Sequence, residues 1–217
     1  MGKVFAAIGV SVDGYVAGPN QSLEHPLGEG GEHIHDWMLK TKFWHEMPWV
    51  GDDGGETGPS DTVLREASAN IGAYIMGRNM FGGGTGPWPE PAWNGWWGDN
   101  PPYHTPVFVL THHAREPLVM QGGTTFFFVS EGIESALKQA KDAAGDRDIR
   151  VAGGAATVRQ YLNAGAVDEL MLHVAPILLG RGARLLEGVD PGRIALRIAE
   201  TVAAPDVTHL RYEVTKK

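Results

Sequence analysis

The stretch that most limits what this chain can fold into is Asp148-Ile-Arg-Val-Ala-Gly-Gly-Ala-Ala-Thr-Val-Arg-Gln-Tyr-Leu162. It opens with β-branched residues at alternate positions, Ile149 and Val151, and runs into the glycine pair Gly153-Gly154. Ala155, Val158 and Leu162 then recur at helical spacing, marking one apolar face of a helix. Strand, glycines and helix start, in that order, build an anion cradle. Glycine lets the backbone approach an anion closely, and the first unpaired N–H groups of the helix point at it together with the positive end of the helix dipole. A phosphorylated cofactor suits this order; an ordinary tight turn is the alternative the same residues allow.

The bulk properties narrow the context. A chain of 217 residues fits one large domain or two small ones, and 42% hydrophobic with 20% charged residues is a globular composition. The net charge of −8 speaks against general nucleic-acid binding, which needs a basic face. With no cysteine there is no disulfide, no zinc–thiolate site and no cysteine nucleophile, which suits the cytoplasm. The opening Met-Gly-Lys-Val-Phe-Ala-Ala-Ile reads as a strand rather than a leader, and no apolar stretch is long enough to cross a bilayer. The expected partner is therefore a small molecule, with neither nucleic acid nor membrane.

Strands are expected at Val4–Val10, Ala73–Met76, Val107–Leu110, Thr125–Val129, Ile149–Val151 and Glu169–Ala175. Two more, Ile194–Thr201 and Val207–Val214, are joined by a turn at Pro205-Asp206. Helices are expected after Ser60 or Asp61, either of which can cap, from Ile133 to Ala144 with Gly145 at its end, and from Ala155 to a stop at Gly165. Two segments, about 20–59 and 82–106, lack periodicity and read as irregular inserts of the kind that form lids or binding loops. The pattern predicts a single α/β domain over residues 1–217: an approximately eight-stranded, mostly parallel sheet, a C-terminal antiparallel hairpin and helices on both faces.

Two further strand exits carry polar groups. Ile75-Met-Gly-Arg78 places an arginine, whose planar fork suits phosphate, after a glycine turn. Val107-Phe-Val-Leu-Thr-His-His113 ends in Thr111 and His112 at the strand edge where open α/β sheets bind ligands. Together with Val4-Phe-Ala-Ala-Ile-Gly-Val-Ser-Val-Asp-Gly-Tyr-Val-Ala-Gly18, Val151-Ala-Gly-Gly154 and Pro176-Ile-Leu-Leu-Gly-Arg-Gly182, these motifs stand in the order seen in dihydrofolate reductase-like proteins. The chain most resembles the branch holding the reductase domain of the bifunctional riboflavin-biosynthesis deaminase-reductase. The resemblance covers all but the two inserts.

That resemblance implies NADPH as hydride donor. By it, Gly77 and Arg78 would meet the cofactor phosphates, with Arg78 near the ribose 2′-phosphate. Thr111 and His112 would line the adenosine end, and Gly153, Gly154, Ala155 and Ala156 would hold the pyrophosphate. Ile8, Gly9, Val16 and Ala17 would border the nicotinamide. Where some relatives carry a basic residue soon after the glycine pair, this chain has Ala155-Ala156-Thr157; His112, His113 or Arg150 would have to compensate. The implied activity is hydride transfer to a C=N or C=O bond of a heterocycle or ribosylamine. True dihydrofolate reduction and cofactor binding without turnover are the alternatives. The branch also implies a homodimer through the C-terminal strands, whose open edge calls for cover.

Hydride addition to C=N needs a proton on nitrogen, so a carboxyl is expected near the substrate. Asp61, which precedes Ile75-Met-Gly-Arg78 at a spacing like that of the pterin-binding acid, is the first candidate; an N-cap is its structural alternative. Asp13 is the second, with a turn before Gly14 as its alternative. Glu32-His-Ile-His-Asp36 with His45-Glu46 holds metal-ligand residue types, but in a glycine-rich acidic loop it reads as solvated, so no metal is expected. Trp88, Trp93, Trp96 and Trp97 suit either stacking on a heterocycle or folding their loop onto the body. His173 reads as facing its sheet neighbours, and Asp168-Glu169 as structural.

Overall fold

The structure, a computed structural model, describes residues 2–47, 49–90 and 92–217. Its strands are β1 (Val4–Ser11), β2 (Tyr15–Ala17), β3 (Ile71–Gly77), β4 (Pro106–Leu110), β5 (Leu118–Val119), β6 (Thr125–Val129), β7 (Asp148–Gly153), β8 (Glu169–Ala175), β9 (Ala183–Arg184), β10 (Ile194–Ala204) and β11 (Val207–Lys216). Its α-helices are α1 (Asp36–Leu39), α2 (Lys42–His45), α3 (Pro59–Ser68), α4 (Arg78–Phe81), α5 (Ile133–Ala144) and α6 (Ala155–Asn163). Short 3₁₀ turns lie at Gly31–His35 and Gln121–Gly123.

Nine strands form one sheet in the order β10-β11-β8-β1-β7-β3-β4-β6-β5. From β8 to β6 every neighbouring pair is parallel, while the β5–β6, β8–β11 and β10–β11 pairs are antiparallel. Two strands, β2 and β9, make a separate ribbon. The sequence pattern led to eight strands. The three it lacked, β2, β5 and β9, are two or three residues long, too short for alternation to register.

Alternation along β1 shows how the sheet is covered. Val4, Ala6, Ile8 and Val10 join the core formed with α5 and α6, whereas Phe5 and Ala7 pack on the other face. Helix α5 buries Ala136, Ala140 and Ala144, a strict i, i+4, i+8 stripe, and ends at Gly145, whose φ of 61° suits glycine. On the opposite face Trp37, Leu64, Ala175 and Val207 pack α1 and α3 over the β8–β11 side. Met76, Phe81, Val107, Val109 and Phe126 anchor the tryptophan-rich insert over β3, β4 and β6. The Arg150 side of β7 lies between these two covers.

Helix α3 begins differently from the expectation. Gly58 is its N-cap residue and Pro59 its first residue, and neither Ser60 nor Asp61 caps it. Among the described residues no helix is long and apolar enough to cross a membrane.

Candidate functional site

Because β1, β7, β3 and β4 are parallel neighbours, their carboxyl ends share one edge of the sheet. The topology therefore assembles Ile8 and Gly9, Gly153 and Gly154, Gly77 and Arg78, and Thr111 and His112 along that edge. Val16 and Ala17, on β2, flank the end of β1. Close packing requires glycine at two of these positions. A Cβ at Gly77 would stand 2.4 Å from Thr157 Oγ1, pushing β3 off the start of α6. Gly153 has a φ of 136°, and its peptide bond to Gly154 is cis. A Cβ at Gly154 would meet nothing within 4 Å, so the backbone there borders open space. Thr157 and Val158 donate their N–H groups to Gly154 O, leaving the N–H groups of Ala155 and Ala156 at the open helix start.

Arg78 is buried and largely committed within the protein. Its Nε donates to Gly82 O at 2.9 Å, its Nη2 to Gly83 O at 2.9 Å and its Nη1 to Thr111 Oγ1 at 3.4 Å. The guanidinium carbon lies 3.1 Å from the centroid of Trp88, and that of Arg115 lies 5.0 Å from the same ring. Arg115 also donates to Trp93 O and Asn94 Oδ1. Among the described residues no carboxylate pairs with either arginine. Burial lowers the pKa of both, and Arg115 adds to the lowering at Arg78. Two uncompensated cations thus sit beside Thr111 and the exposed His112, and an anion there would relieve their repulsion. Sequence reasoning missed Arg115. It stands five residues past the end of β4, and only the fold of the insert carries Trp88 to it.

Arg150 lies elsewhere, on β7 in register with Phe5 and Tyr74. Its Nη2 donates to Ala7 O at 3.1 Å, and its buried Nε has no partner among the described residues.

The two candidate acids both have structural partners. Asp61 accepts from Phe43 N–H at 2.6 Å and from Arg65 Nε at 2.9 Å, which ties α3 to the first turn of α2. Asp13 accepts from Ser11 Oγ at 2.6 Å, Leu179 N–H at 3.2 Å and Gly180 N–H at 2.7 Å. The Ser11 hydroxyl and the two backbone donors hold its carboxyl down at about 2. It thereby fastens the Pro176–Gly182 loop beside β1.

The histidine-bearing insert splits up. His33 faces Asp36 at 3.0 Å and His45 faces Asp52 at 2.5 Å, both at the surface. His35 turns inward: a Cβ on Gly9 would lie 3.1 Å from its Nε2, and its buried Nδ1 has no partner among the described residues. No three metal-ligating side chains converge among the described residues. Beside His35, Trp37 packs on both His173 and His209, with ring centroids 5.0 Å from each. The Nδ1 atoms of His173 and His209 are 2.7 Å apart, and His209 Nε2 is 3.0 Å from Ser60 Oγ.

With that geometry in hand, the comparisons decide the family. The model of the RibD C-terminal domain matches residues 2–210. The chain belongs to the RibD C-terminal domain family. A search of curated proteins finds no match. Solved structures similar to this RibD-type chain agree on the fold. A protein from Shewanella sp. PV-4, described as a candidate riboflavin biosynthesis protein, is 22% identical with a TM-score of 0.62, covering 98% of this chain and 99% of that one. The deaminase/5-amino-6-(5-phosphoribosylamino)uracil reductase of Thermotoga maritima is 12% identical with a TM-score of 0.55, covering 98% of this chain and 56% of that one. The chain thus spans little more than half of that bifunctional protein. Enterococcus faecalis dihydrofolate reductase, complexed with NADP(H) and RAB-propyl, is 12% identical with a TM-score of 0.53, covering 98% and 96%. Membership in this family supports a riboflavin-pathway-type reductase, and the fold is dihydrofolate reductase-like.

Proposed function

We propose that this chain is an NADPH-dependent reductase acting on a C=N or C=O bond of a small heterocyclic or ribosylamine substrate. One observation carries the reading. In a RibD C-terminal domain, the edge that gathers Gly77, Thr111, Gly153 and Gly154 also carries two arginines, both against the Trp88 ring, and among the described residues no carboxylate pairs with them. The residues fit the cofactor. The open backbone at Gly154 and the first N–H groups of α6 suit a pyrophosphate, and Arg78 and Arg115, with two of the five Arg78 donors uncommitted, suit the 2′-phosphate. Ile8, Gly9, Val16 and Ala17 would border the nicotinamide. When bound, NADPH supplies the hydride.

The chain's own residues bind and orient. Arg78 braces the Gly82-Gly83 turn, and Asp13 holds the Pro176–Gly182 loop against β1. Dihydrofolate is the weaker substrate reading, because Asp61 already accepts from Arg65 and Phe43. The test is direct. Addition of NADPH quenches tryptophan fluorescence, and nicotinamide absorbance falls when 5-amino-6-(5-phosphoribosylamino)uracil is added. Binding with no turnover would make the chain a nucleotide-binding protein, and no binding would end the reading. We also propose a homodimer. Leu186, Leu196 and Ile198 lie 43%, 42% and 61% exposed near and along β10. A monomer mass at micromolar concentration would overturn it.

A further inference from the structure

One face of β7 stays partly open along its length. Ile149, Val151 and Gly153 are buried, while Asp148, Arg150 and Ala152 between them are half-buried, as is Gly154 at the carboxyl edge. This row runs between the cover of the tryptophan insert and the cover of α1 and α3. The neighbouring strand leaves it. β1 pairs with β7 only from Val4↔Ile149 to Ala6↔Val151, and from Ala7 onward its pairing is with β8. Just past the last pair, Arg150 Nη2 donates to Ala7 O at 3.1 Å.

Arg150 is a cation short of partners. Only its bond to Ala7 O is made, and its Nε is buried with no acceptor among the described residues. Among those residues no carboxylate pairs with it, and Asp148, the next in the row, accepts from Lys3 N–H. Two phenols join it. Tyr74 lies opposite Arg150 in the β3–β7 register, and Tyr103 packs on Tyr74 with ring centroids 4.8 Å apart. Both tyrosines are half-buried, and neither hydroxyl has a hydrogen-bond partner among the described residues. The Arg150 charge acts on both phenols, and on His173 at the other side of the row. Burial raises Tyr74 and pushes Tyr103 well above its ordinary range, so both stay protonated and can donate. A guanidinium and two neutral phenols, all lacking acceptors, suit an oxyanion. A buried donor left unpaired is a standing cost that such a ligand relieves.

We propose that Arg150, Tyr74 and Tyr103 form a subsite for a phosphate monoester at one end of the substrate. The proposal rests on the reductase reading above and names the part of the substrate that these residues select. The groups suited to the cofactor phosphates lie elsewhere. Gly154 is four residues further along, about 13 Å of strand, and Arg78 and Arg115 stand against Trp88. Phosphate fits the donor set better than carboxylate. The two oxygens of a carboxylate are filled by the guanidinium fork alone, whereas the three terminal oxygens of a phosphate monoester can also use both phenols. A substrate anchored there extends along the Ala152 side of β7 toward the carboxyl edge. Arg150 thereby discriminates between two molecules that share the reducible bond, favouring the phosphorylated one.

The test uses the full chain and begins with a readout that needs no turnover. Trp97 packs on Tyr103 with ring centroids 5.0 Å apart, so tryptophan fluorescence reports on the subsite. Inorganic phosphate, titrated at constant ionic strength, should change that fluorescence in wild type and in Arg115→Ala. Arg150→Gln should weaken the binding by about 10–100-fold, as expected for a hydrogen bond to a charged group. Equal affinity in wild type and Arg150→Gln, or acetate binding more tightly than phosphate, overturns the subsite. In turnover, Arg150→Gln should raise KM for 5-amino-6-(5-phosphoribosylamino)uracil by about 10–100-fold, with kcat and NADPH affinity little changed. The same ribosylamine without its phosphate should show equal kcat/KM in wild type and Arg150→Gln, because the coupling is between Arg150 and the phosphate. An equal loss with both substrates overturns the subsite and leaves Arg150 as a brace for Ala7 O. If Arg150→Gln does not fold, the double variant Tyr74→Phe, Tyr103→Phe decides by the same comparisons, with an expected weakening of about 5-fold or more. An inactive wild type that still binds phosphate through Arg150 overturns the reductase reading and keeps the oxyanion site. An active wild type indifferent to Arg150→Gln overturns the subsite alone.

Discussion

The two inserts look alike in sequence, each long, aperiodic and rich in glycine and tryptophan, but they are ordered by different physics. The first, about 20–59, forms a 3₁₀ turn, α1 and α2, and side chains hold the start of α2: Thr41 Oγ1, at its N-cap, accepts from Trp44 N–H, and Asp61 reaches across from α3 to Phe43 N–H. The second, 82–106, has no helix or strand among its described residues before β4 opens at Pro106. Its indoles anchor it instead. Trp88, Trp93 and Trp96 donate to the carbonyls of His113, Phe81 and Met80, while their rings pack on Phe81, Phe128 and one another. A segment too short to sustain its own helices can therefore be ordered by borrowed caps or by amphipathic side chains that satisfy backbone groups as they bury area. The consequence for function is a division of labour. The tryptophan insert shapes the arginine side of the site, and the histidine insert covers the His173–His209 pair.

The largest expected effect tests that division. Phe81→Ala removes a fully buried ring at the root of the tryptophan insert and should cost about 3–5 kcal/mol in denaturant unfolding. It should weaken NADPH binding as well. Trp37→Ala, at the root of the histidine insert, should lose comparable stability yet keep NADPH affinity. Parallel losses of affinity in both would erase the distinction.

Next is pH. His173 and His209 take up protons less readily folded than unfolded, so the unfolded chain binds more protons below its ordinary histidine pKa of 6.5. Stability should be flat above about pH 7 and fall as pH drops toward 4. His209 alone would contribute roughly 3 kcal/mol at the lower end. His209→Gln should flatten that dependence, as read from urea midpoints at pH 7 and pH 5. An unchanged slope would show that the histidine side is not what makes the fold acid-sensitive.

Smaller again is the cofactor term. Arg78→Ala should weaken NADPH by about 1.5–3 kcal/mol, the worth of a hydrogen bond to a charged group, and NADH by much less. Arg115→Ala should act in the same direction. Equal losses for both cofactors in a titration would remove the 2′-phosphate role from this pair. The smallest change is Asp61→Asn. An amide oxygen still accepts from Phe43 N–H, so only the half-exposed Arg65 pair is lost, worth about 1 kcal/mol or less. Turnover should stay within about tenfold of wild type. A loss of about 10²-fold with cofactor affinity intact would return the acid role to Asp61.

The sequence by itself determined the frame. Helix α5 and the strands β6 and β8 lie at the residues their periodicity marks, because alternation and the i, i+4 stripe are local consequences of which face is buried. Three glycine-bearing or polar strand exits converge because parallel strands put their carboxyl ends on one edge, an outcome legible once the β-α alternation is seen. What only tertiary structure decided is who partners whom. Asp61 looks like a cap or an acid until Phe43 and Arg65, from the insert and the next helical turn, take its oxygens. Arg115 gains its meaning from Trp88, 27 positions earlier, and His173 from His209, on a strand 36 positions later. Such pairings join residues distant in the chain through packing, and composition, periodicity and spacing record only what is near.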